Sequence, residues 1–389
     1  MKQVSYVIST YTSDISGVCS ALYELGGMVV IHDPSGCNST YNTHDEPRWF
    51  SQDSLIFISG LSQMDAVMGR DEKLVEDVIR AATELHPRFI VLVRSPIPLM
   101  IGTDFEGICR EIESVTGIPT YFIPTTGMKS YVKGVGMALE LVVEKMMKEG
   151  SKQLLCPQAK KRVNVLGATP LDFSINDTYS SLLHFLKEHD CFLQGSLALQ
   201  TDYEELKNMP QADVNLVVTS SGYPAALAME EEYGIPYVVG FPCGCLGEEI
   251  EKALEEAKDS QKNTILYRNR DLDRKEKWKS NPFPQGKGIL VYEPVLAQCL
   301  ALDLSIRYDR RILPATMLET DADLVGPDLI LVASEEEMAE VFQHADFVIA
   351  DPMFQPICPK GLSFYPLPQE AFSGRIYRKQ IPDLMRLGW

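Results

Sequence analysis

Short apolar runs alternate with longer amphipathic stretches along most of the chain. Residues 28–32, 55–59, 89–94 and 120–124 are apolar almost throughout and rich in β-branched side chains, which predicts strands buried on both faces. Between them, 72–85, 104–116 and 131–148 place apolar residues every three or four positions, the period of a helix lying on a core. Such alternation predicts a parallel sheet covered by helices. The scheme recurs, with strands expected at 163–168, 190–197, 214–219 and 237–241 and helices at 178–189, 223–233 and 247–257. A third round has strands at 288–292, 328–332 and 347–350 and helices at 294–307 and 335–343. The polar stretch 149–162 and the segment 267–286, dense in charge, Asn and Pro, read as linkers, and the tail 361–389 reads as irregular. The pattern predicts an α/β protein of three Rossmann-like domains, 1–155, 156–265 and 266–389, with ligand clefts at the carboxyl ends of the strands. Gly134-Val-Gly136 falls inside a helical pattern and lacks a third glycine, so it reads as a helix-packing face, not a dinucleotide loop.

Composition narrows the classes. A chain of 389 residues exceeds what one core usually serves, and 45% hydrophobic with 23% charged residues is ordinary for a globular protein. The net charge of −18, without a long basic stretch, argues against nucleic acid as a partner. No run approaches the roughly 20 apolar residues that span a bilayer, and the first residues lack the features of a signal peptide. No membrane association and a cytoplasmic location are therefore expected. In that compartment the nine cysteines stay reduced, and Cys109, Cys191 and Cys299 have the apolar settings of core residues.

Several chemistries are missing: there is no G-x-x-x-x-G-K-[ST], no G-x-S-x-G and no H-E-x-x-H. Four of the six histidines, His86, His184, His189 and His344, fall in polar settings that suggest solvated surface. The cysteines are more informative. Cys37 follows the strand 28–32 and a Pro34-Ser35-Gly36 turn, a position suited to a nucleophile or metal ligand, or else to a buried turn thiol. Cys19 sits in the amphipathic segment 17–25, where the plain reading is core. Two thiols are too few for a cluster that takes four, unless two identical chains each supply a pair. Cys243-Gly-Cys245, after the strand 237–241, could face a metal or a ligand, or could be only a tight turn. Cys358 and Cys156 are weaker candidates.

Four motifs in order resemble the nitrogenase component 1 superfamily. His32-Asp-Pro-Ser-Gly-Cys37 resembles its His-Gly-Pro-x-Gly-Cys loop, and Asp65-Ala-Val-Met-Gly-Arg-Asp-Glu-Lys-Leu74 its Asp-x-Val-Phe-Gly-Gly-x-x-Lys-Leu segment. Ser95-Pro-Ile-Pro-Leu-Met-Ile-Gly-Thr-Asp104 is similar to Cys-Pro-x-x-x-Ile-Gly-Asp-Asp, and Met229-Glu-Glu-Glu-Tyr-Gly-Ile-Pro236 to a second-domain helix and turn. The resemblance implies the three-domain, nitrogenase component 1-like architecture. It also implies an interface iron–sulfur cluster, and a separate P-loop iron–sulfur ATPase that docks near Asp65–Lys73 and delivers electrons. Cys19 and Cys37 match the first two cluster cysteines, while Ser95 stands where the third belongs. This implies a [4Fe–4S] cluster shared by two chains of a homodimer, with Ser95 a further candidate ligand. The cysteine that anchors the nitrogenase cofactor aligns with Val218, and its histidine partner has no counterpart around 360–378. The expectation is thus a two-component, ATP-dependent nitrogenase-like oxidoreductase that reduces a tetrapyrrole or another hard-to-reduce molecule, and not dinitrogen. Cys243, Cys245 and Cys358 are the candidates to line its cavity. The alternatives are a metallocluster assembly scaffold or carrier, and a small-molecule binding protein without a cluster.

Overall fold

The computed structural model describes residues 5–7, 11, 13–34, 46–147, 161–173, 176–268 and 281–388. The first sheet is built from β1 (Met28–His32), β2 (Leu55–Ile58), β3 (Ile90–Arg94) and β4 (Thr120–Ile123), in the order β2-β1-β3-β4 and parallel throughout. Around it lie α1 (Asp14–Ala21), α2 (Gln63–Met68), α3 (Glu72–Leu85), α4 (Pro96–Ile101), α5 (Phe105–Thr116) and α6 (Tyr131–Leu141). Side chains alternate between two cores. Val29, Ile31, Val91 and Val93 face α1 and α6, whereas Met28, Val30, Ile90 and Leu92 face α3 and α5. That double burial is why these strands read as continuous apolar runs.

The second sheet, β6-β5-β7-β8-β9, contains β5 (Lys161–Leu166), β6 (Cys191–Leu197), β7 (Val214–Val217), β8 (Tyr237–Val239) and β9 (Thr264–Ile265). Its helices are α7 (Pro170–Phe173), α8 (Thr178–Glu188), α9 (Tyr203–Leu206), α10 (Tyr223–Tyr233) and α11 (Gly247–Ser260). The third sheet, β12-β11-β10-β13-β14, contains β10 (Lys287–Val291), β11 (Arg311–Thr316), β12 (Ile330–Leu331), β13 (Phe347–Ala350) and β14 (Ser363–Pro366), with α12 (Pro294–Tyr308), α13 (Glu335–Gln343) and α14 (Glu370–Ser373). Every strand pairing is parallel, so the chain is an α/β protein of three parallel sheets.

Some elements depart from the pattern. The strand β11 is one the pattern does not predict, because Arg310, Arg311 and Pro314 interrupt its apolar run. Pro314 is tolerated because β12 pairs only with Ala315 and Thr316, which leaves the proline without a ladder bond to make on that side. The tail read as irregular contributes β14 and α14, and the expected strand 328–332 shrinks to Ile330–Leu331. The helix expected to reach residue 148 ends as a π-helical turn, Val142–Met146.

The two glycines of Gly134-Val-Gly136 serve packing. A methyl on Gly134 would lie 1.8 Å from the Asp14 carbonyl oxygen, and one on Gly17 would lie 2.0 Å from that of Tyr131. So α1 and α6 cross with their backbones in contact. On its other side α6 packs against α10, with Gly136 facing Pro224, and so joins the first sheet to the second.

Candidate functional site

Each sheet has a point where successive crossovers run off in opposite directions, which opens a crevice beyond the carboxyl ends of its two central strands. The strand orders put these points between β1 and β3, between β5 and β7, and between β10 and β13. The residues just past those strands are therefore the place to look for chemistry.

In the first sheet they are His32 and Ser95. The Ser95 N–H donates to the His32 carbonyl oxygen (3.2 Å), which ties the two strand ends together. Ser95 is buried and opens α4, yet its hydroxyl caps nothing and has no hydrogen-bond partner. An unpartnered buried hydroxyl costs roughly 1–3 kcal/mol, so its persistence asks for a partner of another kind. It continues the face of Val91 and Val93, the face turned toward α1. Ile15, one helical turn before Cys19, and Pro96, next to Ser95, both approach Gly127, at 3.6 and 2.8 Å from the position its Cβ would take. Cys19 and Ser95 thus belong to one side of the sheet. His32 turns the other way, against Phe105. Its Nδ1 lies 2.7 Å from Ser59 Oγ, its Nε2 has no partner, and burial lowers its pKa to about 4, so the ring is neutral.

Cys19 has no solvent exposure, and burial, aided by the Glu46 carboxylate, pushes its thiol far above the usual range. A bare thiolate is excluded there, whereas a metal would stabilise one. Beside it runs a buried polar network. Arg48 pairs with Glu46 (2.7 Å) and Glu24 (2.8 Å) and donates to the carbonyl oxygens of Ser20 and Ala198. Tyr131 donates to Ser20 Oγ (2.8 Å), which donates to Glu46 (2.9 Å). Glu24 also accepts from the Thr201 N–H (2.7 Å), so the network clamps the first sheet to the loop after β6. Cys37 lies outside the described residues. Among the described residues, no group of three or more His, Cys, Asp or Glu side chains is placed to hold a metal ion.

The second and third switch points meet each other. Asp172, after β5, accepts hydrogen bonds from the Tyr11 hydroxyl and from Thr169 Oγ1 (2.7 Å). Glu293, after β10, accepts from the Ser220 N–H (2.6 Å), beyond β7, and from the N–H groups of Val295 and Leu296 at the start of α12. Tyr292 donates to the Asp172 carbonyl oxygen (3.4 Å), and the Tyr11 ring packs between Tyr131 of α6, at a tilt, and Phe372 of α14, edge to face. Neither carboxyl is exposed to solvent, and burial raises Asp172 to about 6. Glu293, buried and then repelled by Asp172, rises to about 8. The two carboxyl groups therefore keep a proton between them near neutral pH. No motif announced them, although Glu293-Pro294 is a legible helix start.

The remaining cysteine candidates are scattered. Cys243 is buried, Cys245 exposed and Cys358 half-buried, with its Sγ donating to the Phe354 carbonyl oxygen (3.5 Å). Cys243-Gly-Cys245 forms the tight turn, held by Asp303 of α12, whose carboxylate accepts from the Cys245 N–H (2.8 Å). Gly244 adopts a left-handed φ of +49°, and a Cβ there would lie 2.2 Å from the Asp303 oxygen. Burial raises the Cys245 thiol to about 12 and the Cys358 thiol to about 11, which disfavours the thiolate at both. A cavity of about 290 Å³ between α8 and α11 is lined by Pro242 and Gly244. Another cavity, about 490 Å³, lies between α12 and β11. None of the three thiols lines either.

On the outer side of the first sheet's carboxyl edge, α2 buries none of its residues and α4 only Pro98. Met64, Val67, Met68, Met100 and Met128 are all more than half exposed, and Lys73 pairs with Asp65 at 3.6 Å. An apolar face of this kind marks a surface that another protein covers.

Comparison with known proteins agrees with this geometry. The sequence model for nitrogenase component 1 type oxidoreductases matches residues 15–273. The nitrogenase iron–molybdenum cofactor biosynthesis protein NifE of Klebsiella pneumoniae is 25% identical over 222 residues, 54% of this chain and 48% of that protein. One subunit of the light-independent protochlorophyllide reductase of Zygnema circumcarinatum is 25% identical over 46% of this chain and 36% of its own length. The chain thus aligns with less than half of each of these relatives. Among solved structures, nitrogenase Cp1 superposes over 94% of this chain and 85% of its own, with a TM-score of 0.66 at 18% identity, a likeness of fold.

Proposed function

Because the chain belongs to the nitrogenase component 1 type oxidoreductase family, we propose that it is the electron-accepting component of a two-component reductase. Cys19 and Cys37 from each of two copies would hold a [4Fe–4S] cluster, with Ser95 a further candidate ligand or hydrogen-bond donor. The observation that carries this reading is the unpartnered Ser95 hydroxyl at the first switch point, on the same side of the sheet as Cys19, whose burial disfavours a bare thiolate. Four thiolates from two chains suit a cubane, and a deprotonated serine is itself an oxygen donor. When bound, such a cluster supplies a one-electron relay. The chain's own contribution is to exclude water from Cys19 and to brace α1 through Ser20, Tyr131 and Arg48.

ATP hydrolysis falls to a separate P-loop iron–sulfur protein, since these 389 residues contain no P-loop. The exposed helix α2 and the Asp65–Lys73 pair offer it a docking surface. The substrate reading is a tetrapyrrole or a similar hard-to-reduce molecule bound where the second and third switch points meet, and it rests on two features. Buried Val218 stands where a cofactor-anchoring cysteine would be, and one of the similar proteins acts, by its name, on protochlorophyllide. A homodimer in the cytoplasm completes the reading.

The likeness to cofactor biosynthesis proteins favours a second reading, a scaffold that builds or carries a metallocluster without turnover. Iron distinguishes the two. Anaerobically purified protein should show the broad visible absorbance of a cubane, with one cubane per two chains, and lose it in both Cys19→Ala and Cys37→Ala. If both variants keep full iron, the cluster assignment is dead. Labile iron beyond one cubane, transferable to an acceptor, would instead support the scaffold.

A further inference from the structure

Gln369 is 1% exposed, and neither its side-chain Oε1 nor its Nε2 has a hydrogen-bond partner. Its backbone is nevertheless held firmly. The Gln369 N–H donates to Asp351 Oδ2 (2.9 Å), which also accepts from Ser373 Oγ (2.8 Å), while Asp351 Oδ1 accepts from the Met353 N–H (2.9 Å). Asp351 is the residue past β13, at the third sheet's switch point. The helix α14, which Gln369 opens, packs on α7, the bearer of Asp172. The Gln369 backbone is thus fixed where the second and third crevices meet. A buried group with unmet donors and acceptors is destabilising by roughly 1–3 kcal/mol, and native cores rarely keep one without a use. A leucine would fill similar space without that cost.

We propose that Gln369 is a ligand-recognition residue, its carboxamide pairing with an uncharged group of the substrate that presents a donor and an acceptor side by side, such as a carboxamide or protonated carboxyl. This rests on the reading of the convergence as the substrate site. The charges around it select against a carboxylate. Asp351, Asp172 and Glu293 are carboxyl groups met by hydroxyls and amides; of the guanidinium groups on the same segment, Arg378 is taken up by Glu370 (2.9 and 3.0 Å) and Arg375 lies over the Phe50 ring. An anionic ligand edge would meet acids, whereas a neutral amide satisfies both ends of Gln369.

The test uses the full-length protein under anaerobic conditions, with two metal-free porphyrins, one bearing carboxamide side chains and one the corresponding carboxylates. The wild type should bind the carboxamide porphyrin more tightly. Gln369→Leu should weaken that binding about ten- to a hundredfold, leave the carboxylate porphyrin nearly unaffected, and raise the unfolding temperature of the ligand-free protein. A structural glutamine would show the opposite stability change. Equal binding by variant and wild type, or a lower unfolding temperature in Gln369→Leu, overturns the proposal. Failure of the wild type to bind either porphyrin overturns the tetrapyrrole reading and this inference with it, a pattern distinct from loss of discrimination alone.

Discussion

Gly134 and Gly17 decide how closely α1 can approach α6, and through α1 they decide where Cys19 sits. Gly134→Ala should destabilise the protein by about 3 kcal/mol or more, since the new methyl meets a carbonyl oxygen that belongs to helix backbone and cannot swing aside. Gly136→Ala meets only the Pro224 ring, at 3.0 Å, and should cost clearly less; denaturant midpoints compare the two. The acid pair makes a second prediction at this scale. Asp172 and Glu293 both bind their proton more tightly when folded, so their contribution is complete at low pH and is lost as pH rises through about 6 and about 8. Thermal stability should therefore fall between about pH 4 and about pH 8, the two ends of the shifts, and do so less steeply in Glu293→Gln. A wild-type profile flat over that range would contradict the shared proton. Little of this could be read from the sequence: Asp172 and Glu293 are 121 positions apart in a chain whose pattern is silent about which strand ends converge.

Among elements, strands buried on both faces were legible because burial leaves a continuous apolar run. The strand β11 hid behind Arg311 and Pro314, and β14 behind the prolines of the tail. Short helices such as α2 and α4 escaped for a different reason: one has no buried residue and the other one, so no amphipathic period exists to find. Cys243-Gly-Cys245 shows the limit of spacing as a guide. What decides between ligand loop and tight turn is Asp303, 58 positions beyond Cys245 and invisible to any local motif. Asp303 also holds Arg307 with both oxygens, at 3.0 and 2.8 Å. Asp303→Asn should leave that buried guanidinium poorly matched and lower stability by about 3 kcal/mol, which chemical denaturation would register. An unchanged midpoint would show the turn to be held by its glycine alone.

For the whole molecule, the proposed half-site of two thiols demands a second copy of the chain. If the cluster bridges two chains, anaerobic chelation of iron should weaken the dimer, and mass measurements on dilution would reveal it. A dimer equally tight without iron would place the cluster within one chain. The three sheets are themselves bound by contacts far apart in sequence. Lys133 of α6 pairs with Asp321, and Glu335 of α13 accepts from Ser5 Oγ and from the N–H groups of Tyr6 and Val7, all at 2.7 Å. That last contact carries a consequence for synthesis. Ser5–Val7 leave the ribosome 328 to 330 residues ahead of the carboxylate that anchors them. At 5–20 residues per second this is a wait of roughly 15 to 65 s. Throughout it Tyr11 has no third sheet to lean on, so the junction at the heart of the protein can close only when translation is nearly over.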